Sequence, residues 1–249
     1  MSFNYNFPIK FNIPNIPFRS KQTVQTPVIK PFDNEFVTKP LDNNFDTKEQ
    51  IELYAKSSPE ICSIMKEHNL PIKVNIEELE KLKKGHLKDC RVVAAKIYSA
   101  LPPDLKSEVN LPRLQEAAML HDYGKVLIPK NILNKNGKLN PQEKEIMELH
   151  PIFSYELLKH KKVNQETLKL IKYHHQNLKN TGYPKIDDDF EYNLEAQILS
   201  AADKYSALRE ERSYKSALAK YEALEIMAKE VNEGKISQEV YTALTKVIE

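Results

Sequence analysis

A histidine and an aspartate are adjacent at His121 and Asp122, and Lys125 follows three residues after the aspartate. Imidazole and carboxylate groups both bind divalent metals such as iron, manganese or zinc. The dipeptide alone indicates little, because a histidine at a helix end is often satisfied by its own neighbours. The rest of the chain extends it to a candidate set that holds five of the seven histidines: His86, His121, Asp122, His150, His174, His175 and Asp203.

Helical periodicity puts these residues on surfaces that face a core. His86 falls within an apolar stripe after the cap residue Asn75, and His121 falls on the apolar face of a helix capped by Asn110. Pro151 is expected to bend the helix that carries His150. The patterns predict helices over about 75–97, 110–121, 139–160, 164–177, from 193 through at least 206, 216–232 and 237–248.

Five histidines and two aspartates facing inward would leave a polar core with too few partners. A pair of metal ions satisfies all of them. In this interpretation Asp122 bridges two ions. His86, His121 and Asp203 bind one ion, and the other is bound by His150, His174 and His175. Such a pair lowers the pKa of a bridging water and clamps the oxygens of an in-line displacement at phosphorus, where Lys125 is placed to meet a phosphate oxygen or the bridging hydroxide.

Composition limits the alternatives. The 249 residues include only five glycines and no Gly-rich phosphate loop, and a net charge of +2 is too mild to indicate a nucleic acid polymer as partner. Cys62 and Cys90 are too few for a disulfide framework, and no apolar run is long enough to span a membrane. We therefore expect a cytoplasmic protein.

The first 45 residues differ from the rest of the chain. Six prolines and many asparagines interrupt any helix, so this part is predicted to be a disordered or extended tail. Its Ile-Pro and Phe-Pro units leave open a protein partner. Residues 46–74 are expected to form a short helical lead-in, whose first helix is predicted to begin at the cap Asp46, and residues 75–249 to form the main domain.

The motifs resemble those of the HD-GYP family. The resemblance runs from about residue 76 to the C-terminus, and its series of motifs comprises His121-Asp122-x-Gly124-Lys125, Ile128-Pro129-x-x-Ile132-Leu133-x-Lys135, Leu139-x-x-x-Glu143, His150-Pro151, His174-His175, Gly182-Tyr183-Pro184, Ala202-Asp203 and Arg212-x-Tyr214. It implies an all-α, HD-type helical bundle.

The resemblance also implies a function. Members hydrolyse cyclic di-GMP to linear pGpG or GMP at a centre of two or three metal ions, usually iron or manganese. The seven candidate ligands would correspond to the metal ligands of the family, and Lys125 to its catalytic lysine. Arg212 and Lys215 would hold the phosphates, while Gly182, Tyr183 and Pro184 would shape the pocket.

The chain departs from the family pattern in three places. Gln176, Lys179 and Asn180 replace the usual Glu and Asp-Gly before the Gly-Tyr-Pro motif. Leu82 stands where three-metal members carry a glutamate, so a two-metal centre is expected. Ser154 replaces a usual glycine.

These departures keep other functions open. The main hypothesis is a phosphodiesterase that uses two divalent ions, iron or manganese, on a cyclic dinucleotide. The alternatives are an inactive receptor or regulatory module for cyclic di-GMP or a protein partner, and an HD phosphohydrolase acting on another nucleotide. The sequence also leaves open whether the protein forms a homodimer.

Overall fold

The computed structural model describes residues 46–211 and 217–248. These residues form helices and contain no strand, apart from an isolated antiparallel bridge between His175 and Tyr183. The predicted all-α class is therefore confirmed. The predicted N-terminal tail lies outside the described residues.

Thirteen α-helices and one 3-10 helix are found in the described parts of the chain. The α-helices are α1 Lys48–Ser57, α2 Pro59–Glu67, α3 Ile76–Lys84, α4 His86–Ala100, α5 Pro103–Ser107, α6 Leu111–Leu120, α7 Lys130–Leu133, α8 Pro141–Met147, α9 His150–Leu158, α10 Gln165–Lys172, α11 Leu194–Arg209, α12 Lys220–Asn232 and α13 Gln238–Ile248. The 3-10 helix is Tyr123–Leu127 and follows α6.

Helix α4 lies at the centre of the bundle. It packs against α6, α11 and α13, and its residues Ala94 and Ile97 are fully buried. Helix α9 packs against the 3-10 helix and α10, which in turn packs on α6. This arrangement brings the segment around His121, which joins α6 to the 3-10 helix, between the starts of α4 and α9.

The lead-in helices share the core of the bundle. Ile51 and Ile61 are fully buried in the same apolar cluster as the central helices, and burying each contributes about 1.5–3 kcal/mol. Ser58 donates a hydrogen bond to the buried carboxylate of Glu156 on α9, 2.9 Å away. The first helix is capped by Thr47 rather than by Asp46, because Thr47 forms the capping box and Asp46 instead accepts a hydrogen bond from Tyr123.

Two predicted long helices are each divided into two. The apolar stripe from Asn75 is interrupted at Gly85, so that His86 begins a new helix. The helix predicted over 139–160 is interrupted between Met147 and His150. Pro151 therefore lies in the first turn of α9, where its missing N–H leaves no helical bond unmade, and it does not bend a continuous helix.

Four of the other predicted caps are confirmed, whereas Asn75 stands at the N-cap of α3 but its side chain forms no capping hydrogen bond. The side chains of Asn110, Asn140, Asn164 and Asn193 cap α6, α8, α10 and α11. Helix α10, however, ends at Lys172 rather than near Asn177. His174 and His175 thus lie beyond its last turn and not on its face.

Candidate metal centre

The candidate ligands lie mostly at helix ends. His86 and His150 are the first residues of α4 and α9, and His121 is the C-cap of α6. His174 and His175 follow α10, whereas Asp203 lies within α11. Helix ends allow several polar side chains to converge without each requiring a polar stripe along a core helix.

Asp122 lies between two groups of these side chains and is almost fully buried. Its Oδ1 is 3.2 Å from Nε2 of His150 and 3.9 Å from Nε2 of His174. Its Oδ2 is 3.5 Å from Nε2 of both His86 and His121. Oδ2 therefore faces a first group of histidines, His86 and His121, and Oδ1 faces a second group, which consists of His150, His174 and His175.

Asp203 contacts the first group and borders the second. Its Oδ1 lies 2.9 Å from Nε2 of His86 and 3.6 Å from Nε2 of His121. Its Oδ2 lies 3.6 Å from Nδ1 of His175. In the second group, Nε2 of His150 is 3.3 Å from Nε2 of His174 and 3.1 Å from Nε2 of His175.

Three of the histidines have one ring nitrogen fixed by the backbone. Nδ1 of His121, His150 and His174 lies 2.7–2.9 Å from the main-chain carbonyl three residues earlier. A carbonyl only accepts, so each Nδ1 carries the proton and donates. Each Nε2 then presents a lone pair toward the carboxylates, which is the tautomer that binds a metal ion.

The charges also suit metal binding. Burial acts to raise the pKa of Asp122, but Lys125 and His121 outweigh it and hold this pKa well below its usual value. Burial lowers the pKa of His174 strongly and that of His175 to about 3. For His121, burial lowers the pKa but the two aspartates outweigh it and raise it. The site thus combines ionised carboxylates with neutral imidazoles at its second group.

These donors fit divalent metal ions. Within the described residues, three overlapping groups have ligand atoms within 4.8 Å of one another, namely His86 with His121 and Asp203, His150 with His174 and His175, and His121 with Asp122 and His174. Nε2 of His121 and Oδ1 of Asp122 are buried without a hydrogen bond from any described residue. A bound cation would satisfy nitrogen and oxygen atoms that are buried at this spacing without hydrogen bonds.

Lys125 forms an ion pair with Asp122 at the centre of the site. Its Nζ lies 2.6 Å from Oδ2 of Asp122, and only 15% of its side chain is exposed. The 3-10 helix that carries Lys125 approaches α9 closely. A Cβ added to Gly124 would lie 2.2 Å from the carbonyl oxygen of His150, so only glycine fits there.

Ser154 connects the two segments that carry His121 and His150. Its hydroxyl accepts a hydrogen bond from the N–H of Gly124 and lies 2.7 Å from the carbonyl oxygen of His121, to which it donates. The residue is fully buried. The serine that replaces the usual glycine at position 154 therefore has a structural role, which the sequence motif did not reveal.

The Gly-Tyr-Pro segment closes over the second group. The ring of Tyr183 lies 4.6 Å from that of His175, centroid to centroid. Gln176 is buried and holds the segment from both sides, accepting from the N–H of Gly182 and donating to the carbonyl of Pro184. A Cβ on Gly182 would lie 2.0 Å from the carbonyl oxygen of His175. The segment thus requires glycine at this position.

A cleft of about 560 Å³ opens beside the site. His175 and Asp203 form part of its wall, together with Ser200 and Lys204. Lys204 pairs with Glu230 across the cleft. Sequence reasoning did not select Ser200 or Lys204, although both lie within one turn of Asp203 on α11. Arg212 and Lys215, predicted to hold phosphates, lie outside the described residues.

None of the helices in the described residues is long and apolar enough to cross a bilayer.

The family model described as HD domain matches residues 73–240. Among curated proteins, the chain is 37% identical over 113 residues to the cyclic di-GMP phosphodiesterase response regulator RpfG of Xanthomonas campestris, an alignment that covers 45% of the chain and 30% of RpfG. It is 33% identical over 135 residues to the 3'3'-cGAMP-specific phosphodiesterase 3 of Vibrio cholerae, covering 54% of the chain and 29% of that protein. The chain therefore spans under a third of the length of these relatives.

Among solved structures, Bd1817, an HDG"Y"P protein from Bdellovibrio bacteriovorus, matches with a TM-score of 0.51 and 19% identity. The match covers 66% of this chain and 51% of Bd1817, and at this identity it shows a shared fold alone.

Proposed function

The chain belongs to the HD domain family, and on that premise we propose that it is a metal-dependent phosphodiesterase of the HD-GYP type that hydrolyses cyclic di-GMP to pGpG, GMP or both. One observation carries the proposal. Seven candidate ligands from separate segments meet in two groups that share the carboxylate of Asp122. A fold that needed only a stable core would not bring so many polar groups together without partners.

The two groups would each hold one divalent ion. Asp122 would contact both ions, with His86, His121 and Asp203 completing one site and His150, His174 and His175 completing the other. Iron or manganese suits this mixture of imidazole and carboxylate ligands. When bound, the pair would supply water of lowered pKa and offset the negative charge that develops on the phosphodiester.

The protein's own groups would orient the reaction. Lys125 holds Asp122 ionised and lies where its ammonium group can also meet a phosphate oxygen. The cleft beside His175 and Asp203 is within the usual size range for ligand sites and offers Ser200 and Lys204 to the substrate. Tyr183 would close the cleft on the side of His175. Arg212 and Lys215 are proposed as further phosphate contacts, from the resemblance.

A second candidate substrate is 3'3'-cGAMP. It is favoured because the relatives include proteins named as phosphodiesterases specific for that dinucleotide. Both substrates present the same type of phosphodiester, so they would share the metal centre and differ in the base contacts of the cleft.

The test is turnover by protein purified anaerobically and loaded with Fe²⁺ or Mn²⁺. Each dinucleotide is incubated with the protein and linear products are followed by chromatography. We expect product from wild type and none above background from Asp122→Ala, while Asp104→Ala, at an exposed aspartate of α5, retains activity. Metal-loaded protein that binds a dinucleotide without hydrolysing it would contradict the proposal and support the receptor function.

A further inference from the structure

His86 differs from the other first-group histidine in how its ring is held. Nδ1 of His121 donates to a main-chain carbonyl, but Nδ1 of His86 is buried and has no hydrogen bond from the described residues. His86 is the first residue of α4, directly after the break at Gly85. Its two possible neutral tautomers are therefore not distinguished by the backbone.

A carboxylate lies beside this nitrogen. Oε2 of Glu210 is 3.9 Å from Nδ1 of His86. Glu210 is the C-cap of α11, two turns after Asp203, whose Oδ1 is 2.9 Å from Nε2 of the same ring. The imidazole of His86 is thus flanked by two carboxylates from one helix, one at each nitrogen.

We propose that Glu210 is a positioning residue for the metal centre, whose carboxylate accepts a hydrogen bond from Nδ1–H of His86 and so leaves the lone pair of Nε2 for a metal ion. This inference rests on the proposed function. Carboxylates commonly hold metal-binding histidines in this way. The side chain of Glu210 is 28% exposed, and a movement of about 1 Å at its end brings the pair to hydrogen-bond distance.

The alternative tautomer shows why this contact matters. Without an acceptor at Nδ1, the proton of His86 is best placed on Nε2, where it donates to Asp203 at 2.9 Å. A protonated Nε2 has no lone pair for a metal. Glu210 therefore shifts the ring toward the tautomer that binds the ion also contacted by His121 and Asp203.

Metal affinity measures this effect directly. Mn²⁺ or Zn²⁺ binding is followed by competition with a chromophoric chelator in wild type, Glu210→Ala, Glu210→Gln and the control Glu211→Gln. Glu211 is the adjacent exposed acid. We expect Glu210→Ala to weaken binding of one ion by about 10–100-fold. Glu210→Gln should lose less, because its amide oxygen still accepts, and Glu211→Gln should match wild type.

Nitrogen-15 NMR of histidine-labelled, metal-free protein gives a second readout. A bound ion would itself fix the tautomer of His86, and a residue that only supported the fold would not set it in the metal-free protein. In wild type the proton of His86 should be on Nδ1. Wild-type affinity in Glu210→Ala, or a proton on Nε2, would overturn the inference. If Glu210→Ala does not fold, the position of the His86 proton in metal-free wild type decides. Wild-type protein that binds no metal ion would contradict the proposed function, and this inference with it.

Discussion

Single residues in the site have roles that depend on their neighbours. Lys125 contacts the carboxylate that lies between the two ligand groups, so it balances the charge of the most buried acid in the centre. Gln176 replaces a glutamate that is usual in the HD-GYP family. Both the oxygen and the nitrogen of its side-chain amide form hydrogen bonds with the Gly-Tyr-Pro segment. A carboxylate could accept from Gly182 but could not donate to Pro184 unless protonated.

Removing the ammonium group of Lys125 should impair catalysis more than metal binding. Lys125→Met is expected to lower turnover of cyclic di-GMP about 10²–10³-fold, as expected when one charge-stabilising donor is lost. Metal content, measured by elemental analysis, should stay near that of wild type. Lys130→Met is the control, because Lys130 forms an exposed pair with Glu77 and should leave turnover unchanged. Equal turnover in both variants would remove Lys125 from the reaction.

The histidine cluster should make metal-free protein sensitive to acid. The pKa values of His174 and His175 are lowered by burial, the latter to about 3, against about 6.5 in unfolded chains. Their contribution to stability is complete above the unfolded pKa and is lost as pH falls from about 6.5 toward 3. The raised pKa of His121 has the opposite effect on stability, but this single residue acts against both His174 and His175.

The urea concentration at the midpoint of unfolding of metal-free wild type should therefore decrease when the pH is lowered from 7.5 to 5. In His175→Gln this fall should be smaller, because the unfolded chain then takes up one proton fewer as the pH is lowered. His68→Gln, outside the cluster at the C-cap of α2, should keep the wild-type dependence. A midpoint that rises on acidification would contradict the assigned neutral histidines.

At the scale of helices, the site is built where elements end and begin. Interruptions before His86 and His150 let each begin a helix and direct its ring toward Asp122. The 3-10 helix and α9 then pack so closely that Gly124 admits no side chain. The hydroxyl of Ser154 bridges these elements and fixes their spacing.

Ser154→Ala should loosen this packing. It would leave the buried N–H of Gly124 without its acceptor, at a cost of about 1–3 kcal/mol in the free energy of unfolding. Chemical denaturation measures the change. Ser107→Ala is the matched control, because Ser107 is exposed and donates only to a carbonyl of its own short helix. Equal stability of the two variants would show that the bridge contributes little.

The helical class and most helix starts followed from the sequence, since Asn caps and Pro in the first turn are local signals, as at Asn110 and Asn140. The breaks before His86 and His150 did not, because an apolar stripe continues across a one- or two-residue interruption. The clamp formed by Gln176 depends on a loop returning to it six residues later, which periodicity does not encode. The motifs selected the seven candidate ligands that the fold brings together.

At the scale of the whole molecule, the ligand set joins distant parts of the chain. His86 and Asp203 are 117 residues apart in sequence and meet at 2.9 Å. Metal ions bound there would be expected to stabilise the fold, since the unfolded chain does not hold these ligands together.

Thermal unfolding should report this linkage. At metal concentrations about 100-fold above the dissociation constant, binding contributes about 2.7 kcal/mol. For a chain of this size the Tm should rise by roughly 5–10 °C over chelator-treated protein. Differential scanning calorimetry with Mn²⁺ and with EDTA measures it. Asp122→Ala should show a much smaller rise. The same rise in both proteins would indicate that the metal binds elsewhere.

The burial of α1 and α2 also bears on how this protein can be shortened. Ile51, Ala55 and Ile61 complete a core whose other side is α9 and its neighbours. A fragment begun at Asn75, the predicted domain boundary, would present that apolar surface to solvent. We expect such a fragment to aggregate on expression, whereas one begun at Asp46 stays dispersed. The smallest stable fragment is therefore longer than the part of the chain that carries the motifs.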